Sequence, residues 1–138
     1  MRISDCEIRI WKIEKINEKR GVEGRTKVFA LKVIRFVSSF PKNKVTDVLG
    51  YQLLKAGTSV GANYREANRA ESHDDFIHKI GIVEKEVSDS QYWLELFKES
   101  GFGQNPEHHW LLQESGELLA IFTRIGKTAK ARRKKQRP

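Results

Sequence analysis

The sequence has little of what organises disulfide-stapled, metal-bound or membrane-spanning proteins. Its 138 residues include one cysteine, Cys6. No internal disulfide can form from it, which fits a reducing cytoplasm. The longest uninterrupted apolar run, Leu118 to Phe122, falls far short of the roughly 18 residues a transmembrane helix needs, so no membrane association is expected. The opening Met1-Arg2-Ile3-Ser4-Asp5 lacks the apolar core of a secretory signal. Gly57 and Gly61 are not followed by the Gly-Lys-Ser/Thr of a phosphate-binding loop. Glu-x-x-His, which builds di-iron sites in helical bundles, does not occur. One carboxylate-x-x-His does, Asp75-Phe76-Ile77-His78, with His73 nearby, at a spacing ordinary for an exposed first turn. His108 and His109 are adjacent and must face different ways, which reads as surface or rim packing, and Cys6 has no histidine beside it. These absences lead us to expect a protein without catalysis, metal or cofactor.

What the chain does have is charge, with 26 Lys+Arg against 18 Asp+Glu, a net +8. The excess sits at the two ends. Residues 1–44 carry 12 basic and 5 acidic groups, whereas residues 45–126 carry 7 basic and 13 acidic; residues 127–138 carry 7 basic and none acidic. The chain therefore has a −6 middle between two +7 ends. A cationic end of this kind attracts polyanions by phosphate neutralisation and counterion release. Read structurally, it is a solvated helix terminus favoured by the macrodipole, worth about 0.3–1 kcal/mol. Seven cations exceed what capping requires.

Helical spacing of apolar residues dominates. A first stripe runs from Val28 through Phe36 to Phe40 and stops at Pro41. A second steps by threes and fours from Val45 to Ala67. Ser72, ahead of Asp74 and Asp75, predicts an N-cap for a third stripe running from Phe76 to Phe97, and Gly101 and Gly103 predict its end. Asn105-Pro106 predicts the cap and first turn of a fourth stripe, which the basic tail prolongs. Tyr92, Trp93 and Phe97 read as core or subunit contacts. Four helices joined by short connections favour an all-α, antiparallel up-and-down four-helix bundle. Residues 1–24 form an N-terminal arm whose isoleucines fit no clean period; a docked helix, a pairing strand and a mobile arm all remain open for it. The bundle is placed at 25–126 and the basic C-terminal tail at 127–138.

The second helix holds an odd segment, Gln52-Leu-Leu-Lys55-Ala-Gly57-Thr-Ser59-Val-Gly61-Ala-Asn63-Tyr-Arg65-Glu66. Each mid-helix glycine costs about 1 kcal/mol relative to alanine, tolerated where another backbone approaches closely. Gln52, Ser59, Asn63 and Glu66 step along one face near the core stripe. They read either as a polar binding face or as an interhelical hydrogen-bond network that sets register, and the network is the expectation.

That segment resembles the signature of the four-helix bundle family of 23S rRNA intervening-sequence proteins. Ser72-His-Asp-Asp75-Phe76-Ile-His-Lys79 resembles the family's start of helix three, and Lys85-Glu86 through Tyr92-Trp93-Leu94 the end of that helix. Arg25-Thr26 ahead of Phe29 matches its usual opening. Lys55 stands where arginine is common and Asp89 where glutamate is. The resemblance spans residues 25 to about 126. It implies a bundle that assembles as a homopentameric ring. A related branch of the family serves as accessory subunit of reverse transcriptases, binding nucleic acid and the polymerase.

The functional expectation is a cytoplasmic, non-enzymatic nucleic-acid-binding oligomer that favours RNA over DNA and holds mainly phosphate. The residues assigned to that role are Arg124, Lys127, Lys130, Arg132, Arg133, Lys134, Lys135 and Arg137, with Arg65 and Arg69 on the second helix. The alternative is a protein-interaction scaffold or accessory subunit for a reverse transcriptase.

Overall fold

A computed structural model describes the backbone of residues 5–103 and 105–136, and side chains from Gly21 to Lys135 apart from residue 104. Its elements are four helices in sequence: α1 (Asp5–Ser38), α2 (Lys44–Ala67), α3 (His73–Glu99) and α4 (Pro106–Gln136). No strand occurs among the described residues. Each helix packs on the next in sequence and α1 closes the bundle sparsely on α4, giving the expected antiparallel four-helix bundle.

The ends of the helices follow local chemistry. The Asn43 side chain accepts from the backbone N–H of Val45 and Thr46 at the start of α2. Ser72 Oγ accepts from the Asp75 N–H at 3.0 Å, and Asn105 Oδ1 from the His108 N–H at 2.8 Å. Caps of this kind each contribute about 1 kcal/mol. The turn between α3 and α4 carries the two expected glycines with positive φ, 84° at Gly101 and 71° at Gly103. Gly103 also lies under two rings: a Cβ there would come within 2.7 Å of Phe40 and 2.8 Å of Phe36.

The arm is helical in its backbone over residues 5–20, which removes the strand reading. Its separation from the bundle falls at Gly21, where φ 57° and ψ −132° break α1 in a region open mainly to glycine. Gly24, three residues further on, lies buried inside the helix. After the kink, α1 contributes Phe29, Val33 and Phe36 to the core. Leu53 and Val60 come from α2, Ile80, Val83, Val87, Leu94 and Phe97 from α3, and Leu111, Leu118 and Phe122 from α4. One end of the core is aromatic: Phe36 meets Phe40 and Phe97 edge-on at 5.0 and 5.2 Å.

The seams differ in kind. On the α1–α2 seam, Cβ atoms added at Gly50 and Gly57 would sit 2.9 Å from Val37 and Val33, and one at Gly61 would sit 3.1 Å from Thr26 Oγ1. The glycines of α2 thus admit α1 closely, as the mid-helix glycines predicted, and Gly50 joins them. The α1–α4 seam is polar. Arg25 donates twice to Glu114, with Nε–Oε2 at 3.3 Å, and also faces Glu117 at 3.6 Å. Arg35 faces Glu107 at 3.7 Å, and Lys32 Nζ lies 3.7 Å above the Trp110 ring. The hydrogen bond to Glu114, aided by the neighbouring carboxylate charges and opposed by partial burial, raises the Arg25 pKa above its ordinary value.

Candidate nucleic-acid interface

α4 continues without a break past Gly126 to Gln136, so the described cations of the tail are presented on a continuous helix. Their placement follows from which residues the bundle buries. Leu118, Phe122, Gly126 and Ala129 form the inward stripe, and Ala129 is clamped further because the His73 Nε2–H donates to its carbonyl at 2.7 Å. The remaining positions turn outward. Arg124, Lys127, Lys130, Arg132, Lys134 and Lys135 are all exposed. Lys127, Lys130 and Lys134 recur at spacings of three and four, which puts them on one side of the helix.

The assigned cations are not equivalent. Among the described residues of the tail, Arg133 alone has an ion-pair partner, Asp74 at the start of α3, at 3.4 Å. Arg133 therefore serves to hold α4 against α3. Arg137 lies outside the described residues. Arg65 is paired with Glu23 across the α1–α2 seam at 3.4 Å, while Arg69 is exposed past the end of α2. Neither lies on α4, so the helix-two cations and the tail do not form one row.

Two open hollows flank Arg124. One, of about 560 Å³, lies over the α3–α4 seam and is lined by Gln91, Thr123, Arg124, Lys127 and Thr128 among others. The second, of about 490 Å³, lies at the end of the bundle where His73 and Phe76 of α3 meet Ile125 and Arg132 of α4. Arg124 and Thr128 line both. Sequence spacing marked Phe76 as an apolar stripe residue; only its place at the open end of the bundle brings its ring to a cavity wall.

Among the described residues, no hydrogen bond forms the expected interhelical network on α2. Ser59 Oγ donates to the Lys55 carbonyl at 2.6 Å and Asn63 Nδ2 to the Ser59 carbonyl at 2.8 Å, both within their own helix. Gln52 is half-buried, Glu66 is exposed, and neither joins the other two. Short polar side chains in a helix readily satisfy themselves on the preceding turn, and register on this seam comes from the glycines. His108 also departs from its rim assignment. It is buried, and its Nε2–H donates to the Leu94 carbonyl at 2.7 Å, whereas His109 is exposed. Among the described residues no cluster of three His, Cys, Asp or Glu side chains is arranged to hold a metal, and no helix is long and apolar enough to cross a membrane.

The family comparison falls on the bundle and ends at Arg124, before the basic tail. The model of the family described as 23S rRNA-intervening sequence protein matches residues 18–124. A crystal structure at 1.70 Å of a protein with unknown function from the S23 ribosomal protein family of Bacteroides thetaiotaomicron VPI-5482 is 32% identical to this chain. The likeness covers 77% of this chain and 98% of that one, with a TM-score of 0.69. No curated protein matches. The motif residues have physical counterparts in the bundle: Arg25 holds Glu114 on α4, Thr26 packs where Gly61 leaves room, and Ser72 caps α3. With a fold, a signature and a solved relative in agreement, the chain belongs to the 23S rRNA-intervening sequence protein family.

Proposed function

We propose that this protein is a non-enzymatic, nucleic-acid-binding oligomer that favours RNA and binds through the exposed cations of α4. One observation carries the reading: Arg124, Lys127, Lys130, Arg132, Lys134 and Lys135 stand exposed along about three turns of one helix with no ion-pair partner among the described residues. Exposed like charges repel one another, and a polyanion relieves that repulsion while releasing its counterions. The family description, which refers to 23S rRNA, supports RNA as the anion. Contacts of this kind position the phosphate backbone and read no bases, so sequence preference is weak.

Assembly into a homopentamer is part of the same proposal. Val45, Val48 and Tyr51 are 47%, 55% and 62% exposed on the first two turns of α2, with Ile34 of α1 also exposed. Large apolar groups recurring on one surface favour a contact between proteins, here between copies of this chain.

The test is RNA affinity measured across a salt series for the unsubstituted protein and for Lys127→Gln/Lys130→Gln/Lys134→Gln. These three side chains are exposed, so the bundle is left intact; truncation after Ile125 would instead remove the buried Ala129 and its bond to His73. The slope of log affinity against log salt should flatten by about 2 for three lost single-strand contacts. Affinity that ignores salt, or an unchanged slope in the variant, contradicts the reading.

A further inference from the structure

We propose that the two hollows beside Arg124 form a site for single-stranded nucleic acid, with phosphates held by Arg124 and Lys127 and one base laid on the ring of Phe76. The proposal rests on the phosphate-binding reading and goes beyond it, because it assigns a place, a strandedness and a base contact that charge alone does not give.

The two hollows differ chemically and share a rim. The one over the α3–α4 seam offers the Gln91 amide and the Thr128 hydroxyl beside two cations, a set suited to phosphate and sugar oxygens. Its acidic neighbour is Glu84, whose carboxylate accepts from Thr123 Oγ1 at 3.5 Å across the seam. The hollow at the bundle end has an apolar floor of Phe76, Ile125 and Ala129, with Arg124 and Arg132 at its edges. The nearby Asp74 is engaged by Arg133. The His73 ring is fixed through its bond to the Ala129 carbonyl, which keeps the ends of α3 and α4 together and makes His73 a wall of the hollow. Arg124 belongs to both hollows, so a phosphate on it has polar partners on one side and apolar side chains on the other.

This pairing discriminates between nucleic acids. In a duplex each base is stacked and paired, with no free face to lay on a ring; the bases of an unpaired strand can unstack and offer one. A guanidinium can add a second stacking plane for a base, and Arg132 lines the same hollow as Phe76. An unpaired strand fits both hollows at once, whereas a duplex reaches only the cations.

The experiment compares oligoadenylate with its duplex formed with oligouridylate, by fluorescence anisotropy at fixed low salt. The unsubstituted protein should bind the single strand more tightly. Phe76→Leu keeps an apolar side chain against the core but removes the aromatic face; it should weaken oligoadenylate binding about ten-fold while leaving the duplex affinity and the salt slope unchanged. Equal affinity for strand and duplex, or unchanged oligoadenylate binding in Phe76→Leu, overturns this site and leaves phosphate binding standing. Absence of binding to either nucleic acid overturns both. A second measurement needs no variant. Oligonucleotides carrying 4-thiouridine, photocrosslinked to the unsubstituted protein, should label the peptide containing Phe76, and labelling confined to other segments overturns the proposal.

Discussion

The glycine-rich stretch of α2 and the cation-rich end of α4 are the two segments least like ordinary helix, and the bundle treats them in opposite ways. Gly50, Gly57 and Gly61 each face a side chain of α1 at close range, so packing accounts for all three. The cations from Arg124 to Lys135 meet no comparable demand: Arg133 alone is tied to α3, through Asp74. A segment whose unusual residues are explained by its neighbours inside the fold needs no ligand to explain it. A segment whose unusual residues stay exposed is open to one, and on that ground we propose α4 as the binding element.

The comparison can be broken or sharpened by substitution. The largest effect is expected on assembly: Val48→Asp places a charge in the exposed apolar stripe of α2 and should reduce the native mass to that of a monomer by light scattering, with helicity retained. On the α1–α4 seam, Arg25→Met leaves Glu114, whose side chain is 7% exposed, as an uncompensated carboxylate. A fully buried pair broken this way costs 3–5 kcal/mol. Arg25 is partly solvated, so about 2 kcal/mol of stability should be lost in chemical denaturation. Because the Arg25 pKa is raised by its partner, the stabilisation is complete below the ordinary arginine value and is lost only as pH rises through the raised one; this side of the pair should give no pH dependence near neutrality. Gly57→Ala gains about 1 kcal/mol of helix propensity but drives a Cβ to within 2.9 Å of the buried, stiff Val33, an overpacking of about 1–3 kcal/mol. A net loss of about 1 kcal/mol is expected. Gly81→Ala gives the smallest effect and the opposite sign, since nothing lies within 4 Å of the added methyl. Stability should rise by up to about 1 kcal/mol. If Gly57→Ala stabilised as Gly81→Ala does, the claim that packing explains the α2 glycines would fail.

Much of the fold was legible because the signals were local. Ser72, Asn105-Pro106, Gly101 and Gly103 act within a turn of their own position, and each sits in the structure as its residue type dictates. The α2 glycines were legible as a close approach, although spacing alone did not identify α1 as the partner. The face of Gln52, Ser59, Asn63 and Glu66 was misread because helical position does not say whether a hydroxyl or amide bonds a neighbouring helix or the carbonyl four residues back. His108 was misread for a related reason, since its partner is the Leu94 carbonyl on another helix. The polar closure of α1 on α4 went unseen because Arg25 and Glu114 are 89 residues apart. On the candidate site, the sequence identified the cations but not their sorting into exposed and ion-paired. Nor did it reveal the hollow at Phe76, whose spacing is that of a core residue and whose openness depends on where the bundle ends.

Amide hydrogen exchange with and without a short single-stranded RNA tests the central contrast most directly. The account predicts that RNA slows exchange in α4 from Arg124 to Lys135 and at the start of α3 around His73 to Phe76, leaving α2 from Gly50 to Asn63 unchanged. Protection centred on α2, or no protection of α4 at RNA concentrations that saturate binding, would contradict it.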